Sequence, residues 1–100
     1  MIKKDYLKTK PLCKVTFKLS GNITGEATQV NLVGDFNDWD PKATSMKKLK
    51  GGDFTVTVNL PIDKNYQFKY LVDGNTWVND DLADKYVPNN IDGDNSVVVV

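Results

Sequence analysis

Four separated runs of the chain alternate apolar and polar residues with a period of two. In "DFTVTVNL" (53–60), Phe54, Val56, Val58 and Leu60 fall on one face and Thr55, Thr57 and Asn59 on the other. "CKVTFKL" (13–19) sets Val15, Phe17 and Leu19 against Thr16 and Lys18, and "QVNLVGDF" (29–36) groups Val30, Leu32 and Phe36. "YQFKYLVDG" (66–74) places Tyr66, Phe68, Tyr70 and Val72 opposite Gln67, Lys69 and Leu71. Successive side chains of a strand point to opposite faces, so these runs predict half-buried strands; no stretch shows a helical face. Turn-forming clusters separate them: "SGNITGE", "NDWDPKAT", "KGGD", "LPIDKN", "VDGN" and "PNNIDGDN". Short strands at this spacing predict an all-β, antiparallel two-sheet sandwich. "TSMKKLK" (44–50) is a candidate short strand. The terminal "SVVVV" (96–100) is expected to be paired on both sides, because a bare edge of four valines invites aggregation.

One hundred residues suffice for one domain with one core. Residues 1–10 are expected to form a flexible basic arm and residues 11–100 the domain. Formal net charge is zero, so no global field draws in nucleic acid or an anionic membrane. The charge is unevenly spread: residues 1–20 carry six Lys and one Asp, whereas residues 63–100 carry seven Asp and three Lys. All thirteen basic residues are Lys, and without Arg there is no bidentate reader of phosphate or guanine. Neither nucleic acid nor membrane is expected as a partner.

Catalytic parts are scarce. Cys13 is the single cysteine and the chain has no His, so nucleophile–base pairs and zinc sites lack their components. Glycosidases need two carboxylates flanking a cleft, and a sandwich of this size spends its interior on one core. Asp80 and Asp81 adjoin, so in a strand they would point to opposite faces. "DGDNS" (92–96) lacks the ligand spacing and terminal Glu of a helix–loop–helix calcium site. The expectation is a non-catalytic domain without metal or cofactor. The start "MIKKDYLKTK" lacks the apolar stretch of a signal peptide, and the lone cysteine suits a reducing compartment, so a cytoplasmic setting is expected.

The two tryptophans are the unusual feature. Trp39 sits in "VGDFNDWD" among Asp35, Asn37, Asp38 and Asp40, and Trp77 follows the hairpin signal "VDGN". Both lie beside polar turn residues and outside the alternating core faces, so they either plug the ends of the sandwich or form a contact surface. The hairpin returns Trp77 to the strand carrying Lys69 and Gln67, whose side chains face away from its aromatics. If the Trp39 loop reaches the same corner, two indole plates lie beside an ammonium and amides. That combination suits a pyranose, whose C–H face covers an indole and whose edge hydroxyls meet polar side chains.

From residue 12 to residue 100 the sequence resembles the family 48 carbohydrate-binding modules. These are the isoamylase N-terminal, early-set immunoglobulin-like domains, to which the glycogen-binding domain of the AMP-activated kinase β subunit is similar. The markers occur in order: "GDFNDW", "SM" before "KKL", "YQFKYLVDG", the following Trp, and "DNSVV" in the last strand. The resemblance implies an immunoglobulin-like sandwich of about seven to eight strands that binds α-1,4-glucan (glycogen, starch or maltooligosaccharide). It implies that Trp39 and Trp77 stack on glucose rings and that Lys69 and Asn95 bond their hydroxyls. Ile91 is the nearest equivalent of a leucine that enters a sugar ring in the kinase-type modules. The chain reads as a free-standing module. Its "DGNTW" is one residue longer than the kinase-type "DGQW", a form found in relatives that dock on a catalytic domain. The alternative is therefore an interaction domain that docks on a glycogen-metabolising enzyme or other partner through the same tryptophans. Tyr86 is either a third contact or a cap on the core.

Overall fold

The computed structural model describes residues 1–91 and 93–100; Asp92 of the "DGDNS" run lies outside the described residues. Among them are nine strands: β1 (Ile2–Tyr6), β2 (Leu12–Leu19), β3 (Val30–Gly34), β4 (Lys47–Lys48), β5 (Phe54–Pro61), β6 (Asn65–Val72), β7 (Thr76–Val78), β8 (Lys85–Asn89) and β9 (Gly93–Val99). They form two antiparallel sheets, one in the order β1-β2-β5-β4 and the other β3-β6-β9-β8, with β7 also paired to β6. The fold is the expected all-β, immunoglobulin-like sandwich. No helix among the described residues is long and apolar enough to cross a membrane.

The period-two faces meet between the sheets. Val15, Phe17 and Leu19 of β2 and Phe54 and Leu60 of β5 pack against Leu32, Phe68, Tyr70 and Val98, all buried. Phe17 and Phe68 meet edge to face with ring centroids 5.0 Å apart, and Phe68 and Tyr70 likewise at 5.7 Å. β9 lies between β6 and β8, which gives its valine run the pairing on both sides that its composition demands.

Four features differ from the sequence reading. The first ten residues are not a loose arm throughout, because Ile2–Tyr6 pairs along β2 in continuous register from Ile2–Phe17 to Tyr6–Cys13. This is an edge strand whose residues are mostly exposed, so it carries no alternating apolar signal. A four-residue helix, α1 (Gly21–Thr24), fills the "SGNITGE" connection; Ser20 caps it by accepting from the Asn22 N–H, and it is too short to show a helical face. β8 reaches Asn89 through Pro88, a residue that an edge strand tolerates because its outer side needs no donor. Finally, β6 is buried on both faces: Leu71 and Lys69, read as lying outside, are each only 6% exposed. Beside β3, Thr44 and Met46 bond the strand through their backbones, and Asn31 of β3 donates its side-chain amide to the Pro41 carbonyl.

Candidate functional site

The turn "GDFNDW" builds the first wall of the site. Gly34 ends β3 pressed against β6: a Cβ there would lie 2.5 Å from the Gln67 carbonyl oxygen and 2.7 Å from Phe68 Cβ. Gly34→Ala is therefore expected to destabilise the fold by about 2–3 kcal/mol, whereas Gly51→Ala, which meets open space, should cost far less. Urea unfolding of the two variants checks this.

A single 3-10 turn follows (Asp35–Asn37). Phe36 drops onto Phe17 at 5.7 Å between centroids. Asn37 closes the turn, its Oδ1 accepting from the Gly34 N–H and its Nδ2 donating to the Leu32 carbonyl and the Thr44 hydroxyl. Asp38 and Trp39 both have φ of 57°, in the left-handed region. For a bulky side chain that costs about 1–2 kcal/mol. Two bonds offset it: Trp39 N–H donates to the Gly34 carbonyl at 2.9 Å, and the indole Nε1–H donates to Asp35 Oδ1 at 2.9 Å. The other Asp35 oxygen accepts from the Gln67 N–H at 2.7 Å. One carboxylate thus fixes both the loop and the indole, which is why Trp39 sits among acids and is only partly buried.

The second wall is the β6–β7 hairpin. Asp73 and Gly74 have φ of 51° and 73°, the positive values that mirror-image hairpin turns require, and Asn75 N–H closes the turn on the Val72 carbonyl. Asp73 also ties the turn to the start of β3 by accepting from the N–H groups of Thr28 and Gln29 at 2.9 and 3.0 Å. These donors hold its carboxyl below the ordinary carboxylate value. Because the folded pKa is the lower one, the stabilisation is fully present above the unfolded value of about 3.9 and is lost as pH falls through the folded pKa. Melting temperatures measured from pH 7 down to pH 2 should fall less for Asp73→Asn than for the parent.

The hairpin sets Trp77 opposite Leu71 on the outer face of the sheet, 43% exposed. The chain beyond it is pinned to β9: Ser96 Oγ donates to Asn79 Oδ1 and accepts from the Asp80 N–H, and Asn79 Nδ2 donates to the Asp94 carbonyl. Asp80 is buried, its carboxylate accepting from the Tyr70 hydroxyl at 2.6 Å, the Leu82 N–H at 2.8 Å and the Met1 amino group at 2.9 and 3.0 Å. Burial, and after it the Asp80 charge, pushes the Tyr70 phenol far above its ordinary pKa. Tyr86 donates its hydroxyl to the Asp80 carbonyl and serves this cluster; it does not line the groove described next.

Between the two walls lies an open groove of about 330 Å³ lined by Trp39, Lys69, Trp77, Asn89, Ile91 and Asn95. All five residues singled out in the sequence converge here. Ile91, in the β8–β9 connection, is 94% exposed. Asn89 is the residue that sequence reasoning missed; its signal was the amide pair "NN" just before Ile91. Asn95 accepts from Asn89 Nδ2 at 2.8 Å and donates to Gln67 Oε1 at 3.0 Å. Lys69 is on the expected outer face but is buried at the groove instead of projecting into water. Among the described residues no carboxylate lines the groove and no cluster of His, Cys, Asp or Glu is placed to hold a metal. Among the described residues the arrangement offers flat apolar faces, one cation and amides, groups that can bind a ligand.

A β-sandwich that gathers its only two tryptophans and a set of hydrogen-bonding side chains in one groove has the build of a recognition module. Residues 17–100 match the family described as the glycogen recognition site of AMP-activated protein kinase, and the chain belongs to that family, a domain of the family 48 carbohydrate-binding type. No curated protein sequence matches the chain.

Proposed function

We propose that this domain binds α-1,4-glucan, as glycogen or a maltooligosaccharide, without acting on it chemically. Trp39 and Trp77 stack on the C–H faces of glucose rings, while Lys69 and Asn95 bond the hydroxyls at the ring edges. Ile91, at the rim, contacts a ring from the side. The observation that carries the reading is the convergence of these side chains, from four separate stretches of sequence, in one open groove on the outside of the sandwich. Splayed plates suit an α-1,4 chain, whose helical curve presents consecutive rings in turn. The buried, unpaired Cys13 thiol supports a cytoplasmic setting.

The almost fully exposed Ile91 also favours a second reading, in which the groove docks on a glycogen-metabolising enzyme without holding sugar. Electrophoresis through native gels with and without glycogen, against a non-binding reference protein, separates the two. Selective retardation by glycogen is expected. Unchanged mobility at high glycogen would overturn the sugar reading and leave docking.

A further inference from the structure

The amides beside the groove form a row whose hydrogen bonds all run one way, Asn89 to Asn95 and Asn95 to Gln67. Each amide has one acceptor oxygen and one NH2 donor, so a free row could run in either direction. Here one end is pinned. The backbone N–H of Ile91 meets Asn89 Oδ1 at 2.9 Å, and a backbone N–H can only donate. Asn89 must therefore turn its oxygen toward Ile91 and its NH2 toward Asn95. Asn95 must meet that NH2 with its oxygen, and so presents its own NH2 to Gln67.

Two internal bonds leave Asn95 with one lone pair on Oδ1 and one N–H on Nδ2 for a ligand. Lys69, in the same groove, has an ammonium that can only donate. A sugar hydroxyl that accepts from Lys69 keeps its own proton and next needs an acceptor. With the row in its observed direction, Asn95 Oδ1 is that acceptor. With the row reversed, the hydroxyl would face two donors.

We propose that the Asn89–Asn95–Gln67 row sets the hydrogen-bond polarity with which this groove reads the edge of a glucose ring. Asn89 and Gln67 are then positioning residues acting through Asn95, an inference that rests on the glucan reading above. Asn89 also couples this polarity to the loop that presents Ile91, because the Ile91 N–H dictates the direction.

Two isosteric variants with the same charge change separate this role from general electrostatics. Gln67→Glu keeps an acceptor opposite Asn95 Nδ2 and preserves the direction. Asn89→Asp puts a second acceptor opposite Asn95 Oδ1 and forces the row to reverse. In fluorescence titrations with maltoheptaose, Asn89→Asp is expected to weaken binding about fivefold, the size of one net hydrogen bond. Gln67→Met should weaken it similarly, and Gln67→Glu should restore it to within about twofold of the parent. The direction is also read without sugar, from NOEs of the side-chain NH2 groups: those of Asn95 should contact Gln67 in the parent and position 89 in Asn89→Asp. Equal losses in Asn89→Asp and Gln67→Glu, or NOEs that do not move, would overturn the inference while leaving glucan binding intact. A parent that does not bind maltoheptaose overturns the glucan reading itself, and this inference with it.

Discussion

Trp77→Ala is expected to lower affinity for maltoheptaose at least about thirtyfold while moving the melting temperature by no more than about 5 °C. The two halves come from the same geometry. A large aromatic at the centre of a contact carries about 2 kcal/mol or more of binding, the scale on which buried Trp anchors operate. The side chain is 43% exposed on the outer face of β7, and its backbone stays paired to Leu71 whatever the side chain is. A tryptophan plugging the core would behave in the opposite way, costing about 3–5 kcal/mol of stability on truncation. Isothermal titration and a thermal melt on the same preparation check both halves. A variant that unfolds early would restore the plug reading, and one that binds as tightly as the parent would remove Trp77 from the site.

The largest loss of stability is expected from a residue that touches no ligand. Asp80→Ala removes an acceptor shared by the Tyr70 hydroxyl, the Leu82 N–H and the Met1 amino group, in a cluster where the Asp80 side chain is fully buried. Truncating one partner of a buried charged network costs about 3–5 kcal/mol, because the remaining polar groups lose their partners without regaining water. For a domain of this size that lowers the melting temperature by about 12 °C or more. Thermal and urea unfolding of Asp80→Ala beside Asp81→Ala is the check, since Asp81 is exposed and should matter little. A shift below about 3 °C would show that the cluster does not hold the β7–β8 connection to the core. Asp80 also illustrates how an acidic pair in a carbohydrate-linked fold can mislead. Its carboxylate is engaged in structure, away from the groove, and its neighbour Asp81 faces solvent.

The alternating runs made the core strands legible, because a half-buried strand writes its inner face every second residue. β2, β3, β5 and β6 follow Phe17, Leu32, Phe54 and Phe68 directly. What escaped were elements stabilised by something other than alternation. β1 is held by backbone pairing to β2, and α1 by the Ser20 cap together with the Gly21 N–H donating to Asp53 Oδ1. β8 is an edge strand containing a proline.

The convergence of the candidate site residues was legible for a related reason. Trp39 and Trp77 break the local patterns, and the Asp73–Gly74 turn returns Trp77 beside β6. The burial of Lys69 was not legible, because the residues it shares the groove with come from distant stretches that only the tertiary fold brings together. Asn89 was hidden inside a run read as turn. Its role emerges only when β8 and β9 bring it within 2.8 Å of Asn95.

Both tryptophans are proposed to meet the glucan, and the chain's own fluorescence reports on that contact. Its two tryptophans both line the groove, so its indole emission reports on that groove alone. Trp39→Phe leaves Trp77 as the reporter, and Trp77→Phe leaves Trp39. Maltoheptaose is expected to change the emission of each variant in a saturable titration, with the parent showing both changes at one midpoint. Emission that stays unchanged in both variants through saturating sugar would contradict the account, and would mean that neither indole covers a glucose ring.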